Sequence, residues 1–166
     1  MQDCKLQAVH TEEQVRQLCA LAKEIWTEHF TPLLEPGQVP YMLDKFQSPA
    51  AVSRQLEEGY LYYFLICDGK PVGYSGVKPE NDALFLSKIY ITKEYRGKKL
   101  ARFAMEQYVA YCRKNGLRKI WLTVNRHNSN TIAAYRKMGF ETVREQVTEI
   151  GGDYVMDDYI MEKPVE

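Results

Sequence analysis

The chain has 166 residues, enough for one domain with a real apolar core. Its 22 Lys and Arg balance 22 Asp and Glu, and this zero net charge argues against broad, charge-driven nucleic-acid binding while leaving room for a local basic patch. No apolar run approaches membrane-spanning length and no signal-peptide pattern opens the chain; Cys4, Cys19, Cys67 and Cys112 are scattered without a CxxC pair, so buried reduced thiols in a soluble, cytoplasmic protein are expected.

In chain order, residues 5–9 read as a short opening strand. Thr11-Glu12-Glu13-Gln14 is a capping box, and Val15, Leu18, Cys19, Ala22, Ile25 and Trp26 behind it keep helical spacing. The stretch Thr31 to Pro40 holds three prolines and Gly37, so this helix ends near Phe30. A short helix follows at Val39–Phe46. Ser48-Pro49 supplies an N-cap and a first-turn proline for another helix, ended by Gly59. There the period changes. Tyr60–Cys67 is a strand, Asp68-Gly69 a hairpin turn and Pro71–Val77 the partner strand. Ala83–Thr92 is a third long strand. The helix after it runs towards Asn115-Gly116, with Leu100, Phe103, Ala104, Gln107, Tyr108, Tyr111 and Cys112 on one face. Lys119–Val124 is a strand, Ser129–Met138 a helix closed by Gly139, and Phe140–Ile150 a strand. Gly151-Gly152-Asp153 turns the chain into a last strand near Tyr154–Glu162. This order predicts one α/β domain (α+β mixed) over residues 1–166.

Arg96-Gly97-Lys98-Lys99-Leu100-Ala101-Arg102 crowds four cations into a loop and the first turn of the helix behind it. A helix N-terminus carries partial positive charge and unpaired N–H groups, so cations there are unfavourable, and within the loop only Glu94 answers them. The economical reading is an anion missing from the sequence. A phosphate fits, held by backbone N–H groups and basic side chains, with Gly97 letting the backbone approach closely. A solvated basic turn is the bland alternative. The P-loop and GxGxxG patterns are both absent, and no HExxH or clustered His points to a metal.

Val124 to Phe140 forms another constellation, Val-Asn-Arg-His-Asn-Ser-Asn-Thr-Ile-Ala-Ala-Tyr-Arg-Lys-Met-Gly-Phe. A strand ends here, Asn128 or Ser129 caps a helix, and Tyr135 lies seven residues after Asn128 on roughly the same helix face. Taken alone, Tyr135 reads as a core tyrosine.

Together the two stretches resemble the GNAT superfamily of acyl-CoA-dependent N-acyltransferases. The cationic stretch is similar to its R/Q-x-x-G-x-G/A motif. The stretch ending at Phe140 is similar to its N-x-x-A-I-x-x-Y-x-K-x-G-F motif, with Thr131 in the alanine place. Order, spacing and intervening elements agree over roughly residues 60–162. The resemblance implies a GNAT-type mixed, mostly antiparallel sheet of about seven strands flanked by helices. It implies an acyl-CoA-binding core at 60–162 and a helical acceptor-side region at 1–59. Acetyl-CoA, or a close acyl relative, would lie in a cleft between the strands at 84–92 and 119–124. Backbone groups of Ile89, Tyr90 and Ile91 would pair with its pantetheine arm. Arg96, Gly97, Lys98, Lys99, Leu100, Ala101 and Arg102 would hold its pyrophosphate, with Asn128, and Asn130 as a second candidate, near the CoA arm. Tyr135 matches the family tyrosine that protonates the departing thiolate. Lys99 departs from the pattern by occupying the middle glycine position; its side chain either points outward or adds a phosphate contact.

The implied reaction is direct attack of an amine on the thioester, an acyl-CoA N-acyltransferase step that uses no metal. An alkyl ammonium has a pKa of about 10, so a proton must leave first. The strand at Leu84-Phe85-Leu86-Ser87-Lys88 lacks the carboxylate that some members place there. A water chain or a residue from elsewhere is therefore expected; Glu28 and His29 fit surface groups better, and no base is assigned. Trp26, Phe30, Tyr41, Met42 and Phe46 are candidates to line an acceptor pocket, with core packing the alternative for at least half. The layout from Trp26 to Phe46 and the ending from Met156-Asp157-Asp158 to Met161-Glu162 resemble bacterial polyamine acetyltransferases. A small-molecule amine or polyamine is thus the expected acceptor, with a peptide N-terminus, an amino acid and an amino sugar left open. The rival is a non-catalytic CoA-binding regulatory module. No nucleic-acid or membrane partner is expected, and exposed sheet edges are compatible with a homodimer.

Overall fold

The computed structural model describes residues 3–97 and 99–166. Its elements are β1 (Cys4–Ala8), α1 (Glu12–Phe30), α2 (Gln38–Phe46), α3 (Pro49–Glu57), β2 (Leu61–Cys67), β3 (Lys70–Glu80), β4 (Ala83–Ile91), a 3₁₀ turn at Lys93–Tyr95, α4 (Leu100–Asn115), β5 (Lys119–Asn125), α5 (Ser129–Lys137), β6 (Glu141–Gly151) and β7 (Tyr154–Pro164). The strands form a seven-stranded sheet in the order β1-β2-β3-β4-β5-β7-β6. β1–β2, β2–β3, β5–β7 and β6–β7 pair antiparallel, and β4–β5 pair parallel. This is the mixed, mostly antiparallel α/β arrangement anticipated above.

The element starts follow local chemistry. Gln14 N–H donates to Thr11 Oγ1 at 3.1 Å and Thr11 N–H donates to Gln14 Oε1 at 3.0 Å, closing the capping box of α1. Ser48 Oγ accepts from Ala51 N–H at 3.2 Å and Pro49 opens α3. Asp68 and Gly69 take φ values of 51° and 80°, the left-handed pair that a tight β2–β3 turn requires. On α4 the buried positions are Leu100, Ala104, Met105, Tyr108 and Cys112. Gln107, expected on that face, is exposed.

The chain divides into two compact units, Met1–Lys78 with Lys88–Ala104, and Pro79–Ser87 with Met105–Glu166. In the first, α1 buries Val15, Leu18, Ala22, Ile25, Trp26 and Phe30. A buried chain of hydrogen bonds ties its helices to β2 and β3. Trp26 Nε1 donates to Tyr74 Oη at 2.7 Å, and Tyr74 Oη donates to Gln47 Oε1 at 2.7 Å. Gln47 Nε2 donates to Tyr62 Oη at 3.3 Å, and Tyr62 Oη donates to Gln55 Oε1 at 2.5 Å. Each hydroxyl accepts once and donates once, so these polar tips are buried without an orphan.

One expectation fails in this unit. Cys4 and Cys67 are not reduced thiols; they form a disulfide with an S–S length of 2.11 Å. Antiparallel pairing of β1 with β2 sets the two residues directly opposite each other, with a Cα–Cα separation of 4.2 Å. A 63-residue sequence separation hid that pairing. Cys19 and Cys112 are free thiols, and burial pushes both up to about 11.

In the second unit, β5 alternates strictly, burying Ile120, Leu122 and Val124. Phe85 stacks on Trp121 with ring centroids 4.2 Å apart. β6 lies at the sheet edge and is exposed along most of its length. Among the described residues no helix is long and apolar enough to cross a membrane.

Candidate active site

In the first unit, the stretch Ile89–Ile91 is placed by a glycine. A Cβ on Gly73 of β3 would strike the Tyr90 carbonyl oxygen and the Ile91 Cα, so only glycine lets β4 lie this close. Thr92 N–H donates to Val72 O at 2.9 Å and anchors the end of the strand. The Tyr90 ring packs edge-on against Trp26 at 5.5 Å and Phe30 at 5.7 Å. Thus two of the expected acceptor residues, both buried, join Tyr90 in one aromatic cluster. Tyr41 is half-buried with the Lys45 ammonium 5.9 Å from its ring centre. Lys88 sets its ammonium 5.7 Å from the Tyr62 ring centre, and burial pushes it down to about 8.

The cationic loop contains Gly97 at φ 79° and Lys99 at φ 63°. Left-handed backbone is costly for a residue with a side chain, which explains why glycine is the residue wanted at position 99. The Lys99 side chain is exposed. Lys98 lies outside the described residues. Leu100 begins α4, so the N–H groups of Leu100, Ala101 and Arg102 fall in the first turn, where a helix has no internal partner for them. Left-handed residues beside a helix start form the concave array of N–H groups that suits a pyrophosphate.

Arg96 is engaged within the protein. Its Nη1 and Nη2 donate to Glu28 Oε1 and Oε2 at 3.0 and 2.9 Å, and its Nε donates to Ile91 O at 3.0 Å. The Glu28 carboxyl is held below the usual carboxylate range by the Arg96 hydrogen bonds, so it is a poor proton acceptor. His29 is half-buried, and burial holds its imidazole below the ordinary histidine value.

In the second unit, Asn128 is buried at the N-cap position of α5; its N–H donates to Asn125 O at 3.0 Å and its C=O accepts from Ile132 N–H at 3.0 Å. Asn130 is exposed. Tyr135 is 8% exposed, its ring 5.4 Å from that of Phe140. Burial pushes its phenol well above the ordinary value, so the hydroxyl holds its proton at neutral pH. Asp158 on β7, read from the sequence only as part of the 156–162 ending and given no role there, is a carboxylate only 7% exposed. Burial, then the neighbouring Asp157, raises it to about 6. Its signal was available: alternation sets Asp158 on the same strand face as Met156 and Ile160, an acid where an apolar residue is expected. Among the described residues no group of three His, Cys, Asp or Glu gathers to hold a metal.

Residues 18–140 match the family model described as the acetyltransferase (GNAT) family. An uncharacterized N-acetyltransferase of Mycobacterium tuberculosis is 25% identical over 147 residues, covering 87% of this chain and 94% of that protein. Two solved structures share the fold. The PaiA N-acetyltransferase of Thermoplasma acidophilum, in complex with coenzyme A, superposes with a TM-score of 0.80 at 20% identity, covering 98% of this chain and 99% of that one. The ribosomal-protein-S18-alanine N-acetyltransferase of Escherichia coli gives a TM-score of 0.73 at 21% identity, covering 99% and 95%.

Proposed function

Because this chain belongs to the acetyltransferase (GNAT) family, we propose that it moves the acetyl group of acetyl-CoA to the primary amine of a small molecule or polyamine, with Tyr135 as general acid. Acetyl-CoA supplies the acyl group, activated as a thioester. The loop from Gly97 and the first turn of α4 hold its pyrophosphate through backbone N–H groups, supported by the φ values of Gly97 and Lys99. Arg96 serves that loop from behind, since Glu28 and Ile91 engage its guanidinium. On the family resemblance, backbone groups of Ile89, Tyr90 and Ile91 orient the pantetheine arm, and Asn128 is a further CoA-binding candidate.

Tyr135 is the observation that carries the reading. A phenol this buried stays protonated, and its hydroxyl makes no hydrogen bond with a described residue. It is therefore available to hydrogen-bond the departing sulfur and give it a proton as negative charge develops there. A polyamine is the first candidate acceptor, on the resemblance of the 156–162 ending.

Thiol release from acetyl-CoA, followed across a panel of polyamines, alkyl amines, amino sugars and a peptide N-terminus, tests this function. Turnover with a small amine supports it. CoA binding without turnover on any amine identifies a regulatory module instead, and turnover confined to the peptide shifts the acceptor class.

A further inference from the structure

Two buried side chains of the second unit, Tyr135 and Asp158, end in oxygen yet make no hydrogen bond or ion pair with any described residue. Other buried oxygen- or nitrogen-bearing side chains, such as Gln47, Tyr62, Tyr74 and Trp26, are paired. One of the two unpaired groups is a proton donor. We infer that the other, Asp158, is the proton acceptor of the acetyl transfer, receiving the acceptor's ammonium and taking the proton that must leave before nitrogen attacks. This assignment rests on the function proposed above.

The strands around Asp158 explain why no described residue neutralises it. Its register partners are Asn125 on β5 and Gln146 on β6, both uncharged. Each amide has other business: Asn125 Oδ1 accepts from His127 N–H at 2.9 Å, and Gln146 Nε2 donates to Thr148 Oγ1 at 2.8 Å. Successive strand residues point to opposite faces, so Asp157 faces away from Asp158. Arg126 goes with Asp157, bonding its Oδ1 at 2.8 Å and Glu145 Oε1 at 3.1 Å, with its guanidinium 5.3 Å from the Tyr159 ring centre. The cation is thus tied to Asp157, and the buried carboxylate has a negative neighbour instead.

A buried carboxylate without a partner is expensive to keep charged, and such groups concentrate where chemistry uses them. No buried, described side-chain polar atom is both sealed from solvent and unpaired. The oxygens of Asp158 and Tyr135 therefore keep some contact with solvent, and an ammonium reaching Asp158 would supply the missing hydrogen bonds and the opposite charge. Asp158 stands opposite Asn125, the last residue of β5, and α5 with Tyr135 begins four residues later.

The step balances. The acceptor arrives as R–NH3⁺ and gives one proton to the Asp158 carboxylate. The freed nitrogen lone pair forms the C–N bond, the C–S bond breaks, and Tyr135 protonates the sulfur. The nitrogen's second proton restores the Tyr135 phenol, and Asp158 releases its own to water. The products are the amide, CoA thiol and one proton.

The test compares the whole protein with Asp158→Asn, which keeps shape and removes charge, using acetyl-CoA and the best amine of an alkyl-amine and polyamine panel. The variant should lose about 100-fold or more in kcat/KM. Its melting temperature without ligand at pH 8 should be no lower than wild type, and its melting shift on adding CoA should be unchanged. Wild-type kcat/KM should fall below a pH of about 6, and this limb should vanish in Asp158→Asn; Asp158→Glu should restore part of the rate. Asp158→Asn turning over within about threefold of wild type overturns the assignment. So does a lower melting temperature with a lost CoA response, which marks a structural role. If wild type acetylates no amine at all, the proposed function fails and the Asp158 role falls with it; that failure appears in wild type, whereas the other two appear only in the variant.

Discussion

Arg96 and Glu28, 68 residues apart, form a two-bond ion pair with Nη1–Oε1 and Nη2–Oε2 distances of 3.0 and 2.9 Å. The pair fastens the start of the cationic loop to α1. Both side chains are more than a third exposed, at 36% and 38%, so the pair adds little to stability. Its contribution is geometric: it fixes the loop through a rigid guanidinium fork. Glu28→Ala should leave the melting temperature nearly unchanged and raise the Kd for CoA by about fivefold, through a loosened loop. The charge swap Glu28→Arg with Arg96→Glu should recover part of that affinity. Calorimetric titration with CoA reads both, and an unchanged Kd in Glu28→Ala shows that the clamp does not serve the loop.

Lys99 pays for a left-handed backbone that glycine adopts freely. Lys99→Gly should stabilise the protein by about 1 kcal/mol, less what glycine loses in chain entropy. Because the Lys99 side chain is exposed, CoA affinity should stay within about twofold of wild type. A tenfold loss would show that its ammonium holds the pyrophosphate.

The Cys4–Cys67 disulfide closes a long loop, with a sequence separation of 63. In the chain-entropy account such a bridge is worth up to about 4 kcal/mol, through restriction of the unfolded chain. Denaturant unfolding with and without a reductant should show that loss, and Cys4→Ser should match the reduced wild type. Equal midpoints in the two conditions would mean the bridge does not form in solution.

Asp158 has a stability signature of its own. Its folded carboxyl is raised from 3.8 to about 6, so the folded state binds the proton more tightly than the unfolded state. Its stabilising contribution is therefore full below a pH of about 3.8 and is lost as the pH rises through about 6. Wild type should lose about 3 kcal/mol more than Asp158→Asn across that window, because each tenfold difference in proton affinity between the two states is worth about 1.4 kcal/mol. Denaturant titrations at pH 3 and pH 8 measure the difference, and parallel behaviour of the two proteins would refute it.

Local chemistry made most of the fold legible. The Thr11 box, the Ser48-Pro49 start, the Asp68-Gly69 turn and the alternation along β5 all act within a few residues, and each element appears where those signals put it. Long-range pairings were not legible. Cys4 meets Cys67 through strand register, and Glu28 meets Arg96 through tertiary packing. Asp158 shows the same limit at the site. Its place on an apolar strand face can be read from alternation, but its lack of a partner among the described residues depends on where Asn125, Gln146 and Arg126 send their own bonds. The motif around Tyr135 pointed to a proton donor; the burial of the Asp158 carboxylate became visible only in the fold.

Acetyl transfer with Tyr135 as the acid is decided by the steady-state kinetics of Tyr135→Phe. With acetyl-CoA and the preferred amine, kcat should fall by about tenfold or more while the Kd for CoA stays within about twofold of wild type. An unchanged kcat in Tyr135→Phe would remove Tyr135 from the chemistry.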